Sequence, residues 1–152
     1  MPGEKFQIHK IKESEYQSVA MLEAACFIDP WPIDQIEYEA KKNPVAHLYT
    51  ASIDDEVVGY IDFFITWDSA SIARICVDQE NRRTGIAKSL IEKMIQVCKA
   101  QEEEVANITL EVREHNEAAI ALYKKNGFKE ITKKRMYYSN GEDAIYMVRC
   151  IL

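Results

Sequence analysis

Long hydrophobic runs are missing from this 152-residue chain. No apolar stretch approaches the roughly 20 residues that a membrane-spanning helix needs. The first ten residues, MPGEKFQIHK, lack both the apolar core of a signal peptide and the Arg-rich pattern of a transit peptide. The sequence therefore predicts a cytosolic protein with no membrane partner.

Metal-binding and disulfide patterns are missing as well. The four cysteines form no C-x-x-C pair, and the three histidines stand apart from one another. These residues are Cys26, Cys76, Cys98, Cys150, His9, His47 and His115. Zinc sites and thioredoxin-like motifs need closely spaced side chains, so we expect no metal and four buried, reduced thiols.

Positive charge is in deficit, because 19 Lys and Arg residues face 25 Asp and Glu residues, for a formal net charge of −6. Non-specific binding to nucleic acid relies on positive charge, which displaces counterions from phosphates. The composition therefore argues against a nucleic-acid partner and suits a basic partner better.

The sequence does contain enough apolar material for one core. Hydrophobic residues make up 47% of the chain and charged residues of both signs make up 29%. A chain of this length can bury one substantial core and is too short for two ordinary domains. We therefore expect a single folded domain over residues 1–152.

Hydrophobic periodicity and turn residues predict a strand, two helices and then a meander of three strands. Ser14 is the expected cap of the first helix, and Asp29-Pro30-Trp31-Pro32 separates it from the second. The polar Asp54-Asp55-Glu56 is the expected hairpin connection. The predicted ranges are a strand at 6–11, helices from about 16 and over about 33–41, and strands at 46–53, 57–66 and about 71–77.

The second half alternates strands and helices. A polar loop at 78–85 leads into a helix in which Ile86, Leu90, Met94 and Val97 recur at helical spacing. The remaining predicted ranges are a strand at 107–112, a helix at 117–125 that Asn126-Gly127 ends, and strands at about 128–138 and 144–151. The pattern predicts an α/β fold with a mixed, mostly antiparallel sheet of about six or seven strands flanked by about four helices.

The segment from Arg82 to Lys88 is the first candidate site. It lies between an apolar strand and a helix start, where free backbone N–H groups and partial positive charge favour a pyrophosphate. Gly85 lets the backbone approach a phosphate, and small Ala87 keeps the next turn open. Positive charge comes from Arg82, Arg83 and Lys88. From this loop alone, an ordinary polar turn with solvated basic residues remains the alternative.

The segment 110–128 is the second candidate site. Glu111 alternates against its apolar neighbours and so projects from the other face of the strand, where a solvated carboxylate is the alternative to a functional one. Tyr123 lies on the apolar side of the next helix, where a core aromatic is the ordinary interpretation. Asn116 is positioned to cap that helix.

Together and in this order, the two segments resemble the GNAT family of N-acetyltransferases. Arg82-x-x-Gly85-x-Ala87 is similar to that family's R/Q-x-x-G-x-G/A loop, and the likeness extends from Ser71 to the C-terminus. More narrowly, several segments resemble the RimI-type subgroup, whose members acetylate the N-terminal alanine of a ribosomal protein. They are LEVR at 110–113, N-x-A-A-I-A-L-Y at 116–123, N-G-F at 126–128 and YYSNGEDAIYM at 137–147, with a shorter likeness at Pro30-Trp31.

The resemblance implies the GNAT fold and an enzyme that uses acetyl-CoA and no metal. By likeness to the family, the backbone of Ile75, Cys76 and Val77 would hold the pantetheine arm and the thioester carbonyl. The pyrophosphate would bind at Arg83, Thr84, Gly85, Ile86, Ala87 and Lys88, and Asn116 would also touch the cofactor. Glu111 would be the general base and Tyr123 the general acid.

The acceptor that the resemblance implies is the N-terminal alanine of a ribosomal protein, small-subunit protein S18. Its peptide would run past Tyr137-Tyr138 and residues 141–144, where acidic Glu142 and Asp143 fit either peptide contact or a solvated turn. A lysine side chain or a small-molecule amine is the alternative acceptor, because substrate choice in such folds lies in loops. A non-catalytic acyl-CoA-binding module is the alternative from another class.

Overall fold

A computed structural model describes residues 6–152. The expectations about the chain start and about a domain over 1–152 fall partly on residues 1–5, which lie outside the described residues. The described part forms the strands β1 (Gln7–Lys10), β2 (Ala46–Ile53), β3 (Glu56–Thr66), β4 (Ser69–Val77), β5 (Asn107–Arg113), β6 (Lys129–Lys134) and β7 (Ala144–Cys150). Its helices are α1 (Tyr16–Cys26), α2 (Ile33–Lys41), α3 (Ile86–Lys99) and α4 (Glu117–Lys125), with short 3-10 turns at Glu13–Glu15 and Gln79–Asn81.

These seven strands form one sheet in the order β1-β2-β3-β4-β5-β7-β6. Neighbouring strands are antiparallel, apart from the parallel pair of β4 and β5. The mixed, mostly antiparallel sheet with four helices confirms the predicted fold class. Among residues 6–152, no helix is long and apolar enough to cross a membrane.

The contact between β4 and β5 is short. Ser69, Ala70 and Ser71 pair with residues 107–109, and the pairing ends there. Beyond Ser71, the described strands supply no further partner for the edge of β4 that faces β5. Because unpaired backbone groups remain available for hydrogen bonding, the separation creates a cleft whose wall carries free donors and acceptors.

Helices cover both faces of the sheet. On one face, α3 presents Leu90, Ile91 and Met94, all fully buried. On the other face, Val19 of α1 and Ile36 of α2 are fully buried in a second apolar cluster. Alternate residues of a strand point to opposite faces, so β3 contributes side chains to both clusters. Each such side chain contributes about 1.5–3 kcal/mol relative to leaving it exposed.

Two sequence-derived details near the chain start are corrected by the structure. Ser14 does not cap α1, because it lies inside the 3-10 turn Glu13–Glu15, and Glu15 is the N-cap residue of the helix. The hairpin between β2 and β3 is tighter than predicted. It consists of Asp54 and Asp55 alone, with φ of 50° and 66°, the left-handed geometry that twisted two-residue hairpins need.

The strand predicted over 128–138 is also shorter in the structure and ends at Lys134. Residues 135–143 form a loop with its own hydrogen bonds. The Tyr138 amide donates to the Glu142 carbonyl at 3.1 Å, and the Met136 amide donates to the Asp143 carboxylate at 2.8 Å. These local bonds satisfy the backbone in place of the β-ladder.

The expectation of four buried cysteines holds for two of them. Cys76 and Cys98 are buried, whereas Cys26 is partly exposed and Cys150 is exposed at the end of β7. All four thiols are free in the described chain, as expected.

A buried acidic cluster lies between the first two helices and the sheet. Glu23 of α1 is fully buried and accepts hydrogen bonds from Arg74 Nε at 3.1 Å, the Trp31 amide at 2.8 Å and the Tyr60 hydroxyl. The Arg74 guanidinium therefore balances the Glu23 charge, as a buried carboxylate requires. This arrangement fixes the loop after α1 against β4.

Asp62, also fully buried, lacks such compensation. Neither of its carboxyl oxygens has a hydrogen-bond partner among the described residues. Burial, with a further contribution from nearby Glu39, raises the pKa of Asp62 to about 10. The folded protein therefore holds this carboxyl group in its neutral form at neutral pH.

Replacing Asp62 by asparagine is expected to increase stability at pH 8 more than at pH 5. The pKa of Asp62 is about 10 in the folded state and 3.8 for the free side chain, so folding binds a proton. That coupling is absent below pH 4 and opposes folding increasingly as pH rises toward 10. Asparagine binds no proton. Melting curves at both pH values, with exposed Asp55→Asn as the control, should show a Tm gain that is larger at pH 8 than at pH 5 by on the order of ten degrees, since 1 kcal/mol corresponds to about 2–4 °C. Equal gains at both pH values would contradict this account.

Candidate active site

The separation of β4 from β5 opens into a first cavity of about 560 Å³, a volume typical of ligand sites. Its walls come from the end of β4, the loop before α3, the first turn of α3 and one side of α4. It brings together ten of the twelve predicted site residues, namely Ile75, Cys76, Val77, Arg83, Gly85, Ile86, Ala87, Lys88, Asn116 and Tyr123. The structure does not bring Thr84 or Glu111 to this wall.

The start of α3 forms the basic end of the first cavity. Gly85 is the N-cap residue, with φ of +88°, and no atom lies within 4 Å of the position that a Cβ would take. Arg83 is also left-handed, with φ of 66°. A left-handed turn before a 14-residue helix directs free amides into open space, which fits a pyrophosphate. Thr84 instead turns back, and its hydroxyl donates to the Asn81 carbonyl at 2.5 Å.

Arg82 connects this loop to the end of β4. Its Nε donates to the Val77 carbonyl at 3.1 Å, and its Nη2 lies 3.8 Å from the sulfur of Cys26. The Arg82 side chain therefore helps to hold the cavity wall together, in addition to supplying positive charge. Sequence reasoning had assigned it charge alone.

Asn116 caps α4, as predicted. Its Oδ1 accepts a hydrogen bond from the Ala119 amide at 3.2 Å. The residue also borders the first cavity and a second one beside it. The cap geometry explains the position of Asn116, and its exposed amide nitrogen stays available to a ligand.

The second cavity, of about 440 Å³, lies on the other side of the cleft. The loop after α1 contributes Asp29, β4 contributes Arg74, β5 contributes Glu111 and Arg113, and the loop between β6 and β7 contributes Tyr138. Residues 141–144, which the resemblance placed along an acceptor peptide, are not on its wall. Asp143 and Glu142 instead hold the loop by hydrogen bonds, Asp143 accepting from the Met136 amide and Glu142 from the His115 amide.

Tyr123 borders both cavities. Its ring is buried and packs edge-on against Phe128, with ring centroids 5.9 Å apart. Burial is the main cause that raises the pKa of Tyr123 above its ordinary value, and the neighbouring Tyr138 adds to the shift. The hydroxyl therefore stays protonated over the physiological pH range and can act as a proton donor.

Glu111 reaches only the second cavity and is held by a partner that the sequence did not reveal. Lys134 Nζ, at the end of β6, lies 2.6 Å from its carboxylate. The Glu111 side chain is 25% exposed and that of Lys134 is 41% exposed, so the pair is accessible to water. The hydrogen bond to Glu111 raises the pKa of Lys134, which keeps the ammonium charged.

Residues 6–152 contain no group of three or more His, Cys, Asp or Glu side chains that could hold a metal ion. The chemistry of the site is instead that of an anion-binding helix start, a buried phenol and a carboxylate arranged around two adjoining cavities. The helix start in the first cavity suits the phosphates of a nucleotide cofactor, and the second cavity leaves room for an acceptor beside the carboxylate. This arrangement is typical of an enzyme that transfers a group from a phosphate-bearing donor.

Comparison with known proteins gives the family. The protein-family model described as "Acetyltransferase (GNAT) family" matches residues 16–128 of this chain. The chain belongs to this family. It is therefore an acetyl-CoA-dependent N-acetyltransferase, as the sequence resemblance predicted.

Some proteins similar to this chain are named as N-acetyltransferases of a ribosomal-protein alanine, and others are named simply as N-alpha-acetyltransferases. The chain is 32% identical over 144 residues, 94% of each chain, to a Bacillus subtilis protein provisionally named [ribosomal protein bS18]-alanine N-acetyltransferase. It is 31% identical to an N-alpha-acetyltransferase of Sulfurisphaera tokodaii, covering 95% of this chain and 93% of the relative. The crystal structure of the ribosomal-protein-S18-alanine N-acetyltransferase from Escherichia coli superposes with a TM-score of 0.83 at 28% identity, covering 97% and 94% of the two chains.

The first cavity includes residues that were not assigned to the site at the sequence level, among them Cys26 at the end of α1 and Phe27 just after it. Nothing in the local sequence marks them, because their position depends on how α1 packs on β4. Contact with the Cys76 thiol, assisted by Arg82, lowers the pKa of Cys26 to about 6, against the opposing effect of burial. Cys76 shows the reverse, since the contact with Cys26 and burial raise its pKa.

Iodoacetamide is therefore expected to alkylate Cys26 faster than the other three thiols at pH 7. The alkylation rate should rise with pH around a midpoint near 6 and then level off, because the thiolate is the reactive form. Saturating acetyl-CoA should slow the reaction, since Cys26 lies on the wall of the first cavity. Peptide mapping by mass spectrometry, with Cys26→Ser as the control, measures each rate. A midpoint above pH 8 would show that the Cys26 thiolate is not stabilised.

Proposed function

We propose that this enzyme acetylates the N-terminal α-amine of a ribosomal protein, the alanine of small-subunit protein S18. In this proposal Glu111 is the general base, Tyr123 is the general acid, and the acetyl group passes directly from acetyl-CoA to the amine. The proposal treats residues 1–152 as one acetyltransferase domain, since the described strands share a single sheet.

One observation carries the assignment of roles. Tyr123 borders both cavities, Glu111 borders only the second, and the α3 start borders only the first. A base must meet the incoming amine, whereas an acid must reach the thiolate that leaves on the donor side. The distribution of the two side chains matches those needs.

The chemistry follows from ordinary pKa values. An α-amine has a reference pKa near 8, so at neutral pH most of it is protonated and cannot attack a thioester. Glu111 accepts that proton directly or through water, and the free amine then forms the N–C bond at the acetyl carbonyl. As the C–S bond breaks, the thiolate leaves with its electron pair and takes a proton from Tyr123. The nitrogen gives up its second proton as the amide forms, and that proton returns to Tyr123 through water. A backbone N–H at the free edge of β4 near Val77 stabilises the developing oxyanion, an interaction worth about 3 kcal/mol.

The remaining proposed contacts concern the donor. The backbone of Ile75, Cys76 and Val77 would hold the pantetheine arm, because that edge of β4 lacks a described strand partner and the arm carries amides. The amides from Arg83 to Lys88 would bind the pyrophosphate, with Thr84 contributing only its backbone. Asn116 would reach the cofactor through its side-chain amide.

The choice of acceptor draws on the relatives. Two of the three similar proteins described above are named as N-acetyltransferases of ribosomal protein S18, which favours that protein as the substrate. The Sulfurisphaera tokodaii relative covers the chain as fully and is named only for α-amines, which favours a broader set of protein N-termini as the second candidate.

A peptide panel tests the proposal. The purified protein and acetyl-CoA are incubated with an unacetylated peptide of the S18 N-terminus, the same peptide starting with Ser or Met, and the same peptide with a blocked N-terminus and an internal Lys. Mass spectrometry locates the acetyl group, and thiol release gives the rate. The Ala-starting peptide is expected to have the highest kcat/KM. Equal rates on all free N-termini favour the broader enzyme, and modification of the blocked peptide alone would refute α-amine acetylation.

A further inference from the structure

Arg113, the last residue of β5, joins two loops that border the second cavity. Its Nη2 lies 3.1 Å from Asp29 Oδ2, in the loop after α1. Its Nη1 lies 3.1 Å from Glu142 Oε1 and 3.2 Å from Asn140 Oδ1, in the loop between β6 and β7. The guanidinium also lies over the ring of Tyr138, 4.0 Å from its centroid. One side chain thus contacts four groups on two loops.

The two loops belong to different sides of the cleft. Arg74 of β4 holds the first loop, since its Nη2 donates to the Asp29 carbonyl at 2.9 Å. The end of β5 holds the second, since the Glu114 amide donates to the Asp143 carbonyl at 3.0 Å. The separation of β4 from β5 leaves no ladder between these sides here. Arg113 connects them instead.

Arg113 lies close to Glu111, the proposed base, so the connection between the loops is next to the proposed site of the acceptor amine. The two residues are two apart on β5 and therefore point to the same face, where both border the second cavity. Both loops that Arg113 connects line this cavity beside Glu111, through Asp29 and Tyr138. The contact with Asp29, which is 65% exposed, contributes little to overall stability. Its effect is therefore on the local spacing of the loops.

We propose that Arg113 is a positioning residue for the acceptor, which sets the spacing of the two loops around the acceptor N-terminus. This inference rests on the proposed function, and it concerns how the enzyme discriminates among acceptors. Arginine suits the task because its planar fork reaches several acceptors at once, whereas a lysine ammonium is a single point charge.

Steady-state kinetics on the Ala-starting peptide test the inference. In Arg113→Gln and in Arg113→Lys, the acceptor KM is expected to rise about tenfold, equivalent to about 1.4 kcal/mol. The KM for acetyl-CoA should be unchanged and kcat should fall less than about threefold. Preference for Ala over a larger first residue should also decrease. Lys133→Gln, which removes an exposed ion pair with Glu114 on the same sheet edge, is the matched control and should behave as wild type.

Two further variants separate bridging from direct contact. Asp29→Asn and Glu142→Gln each remove one ion pair of the connection and keep Arg113, so each should raise the acceptor KM. Wild-type kinetics in both would overturn the inference, because Arg113 would then act on the acceptor itself. Hydrogen exchange over 27–31 and 135–143, which needs no acceptor, should increase in Arg113→Gln. Unchanged exchange in Arg113→Gln would overturn the inference that Arg113 connects the two loops. Failure to acetylate any peptide would count against the proposed function only, because the exchange measurement does not depend on activity.

Discussion

Replacing Tyr123 by phenylalanine is expected to lower kcat about a hundredfold or more while the KM for acetyl-CoA changes less than about twofold. General acid catalysis contributes typically 10²–10⁴-fold, and the leaving thiolate, with a pKa near that of cysteine, gains most from a donor. The substitution removes one hydroxyl and keeps the ring. Stopped-flow or steady-state thiol release measures kcat, and calorimetry measures cofactor binding.

The structure makes this test specific, because Tyr123→Phe should leave the fold intact. The Tyr123 ring, which phenylalanine retains, makes the packing contact with Phe128. The pKa of Tyr123 is shifted by burial and nearby groups and not by a hydrogen bond to its hydroxyl. A melting temperature close to wild type is therefore expected alongside the loss of rate. Wild-type kcat in the folded variant would remove Tyr123 from the role of acid.

The pH profile adds a second check on Tyr123. Burial raises its pKa, so the phenol is protonated and able to donate throughout pH 6–10. The wild-type rate should consequently show no decline below pH 10 that depends on this residue. A basic limb between pH 8 and 9 that disappears in Tyr123→Phe would mean that the donor ionises earlier than its buried position allows.

Local sequence patterns were sufficient to predict most of the fold, whereas most residues of the first cavity were assigned by the resemblance to a known family. Hydrophobic spacing from Ile86 onward located α3, and Gly85 before it was predicted to let the backbone approach a phosphate; in the structure it is the left-handed N-cap of that helix. Asn116 was predicted as a cap from its position before an apolar helix and is one. These features are determined within a few residues of chain, so a single sequence contains them.

The second cavity was less predictable, because its wall depends on contacts between distant segments. Asp29 and Arg113 are 84 residues apart, and Glu111 and Lys134 are 23 apart on strands that are not neighbours in the sheet. The contact of Asp29 with Arg113 depends on how the loop after α1 packs on Arg74, and the contact of Glu111 with Lys134 depends on the pairing of β7 between β5 and β6. The alternation of residues along a strand predicts the face of the sheet to which a side chain points. It does not predict which distant loop packs against that side chain.

Replacing Glu111 by glutamine is expected to lower kcat/KM for the acceptor peptide about a hundredfold at pH 7, the second large effect. Glutamine keeps the shape of the side chain and cannot accept the amine proton. The lost ion pair with Lys134 is partly exposed, so its contribution to stability is at most about 1 kcal/mol and the variant should fold.

The form of the Glu111→Gln defect identifies its cause. Without a base, the variant acts only on amine that is already deprotonated, so its rate should rise about tenfold per pH unit until pH approaches 8. The wild-type profile should be flatter over the same range, and the difference between the two enzymes should narrow at high pH. Glu111→Asp, which retains a carboxylate, should recover part of the rate at pH 7. If the defect were the same at pH 6 and pH 9, Glu111 would hold the acceptor in place rather than take its proton.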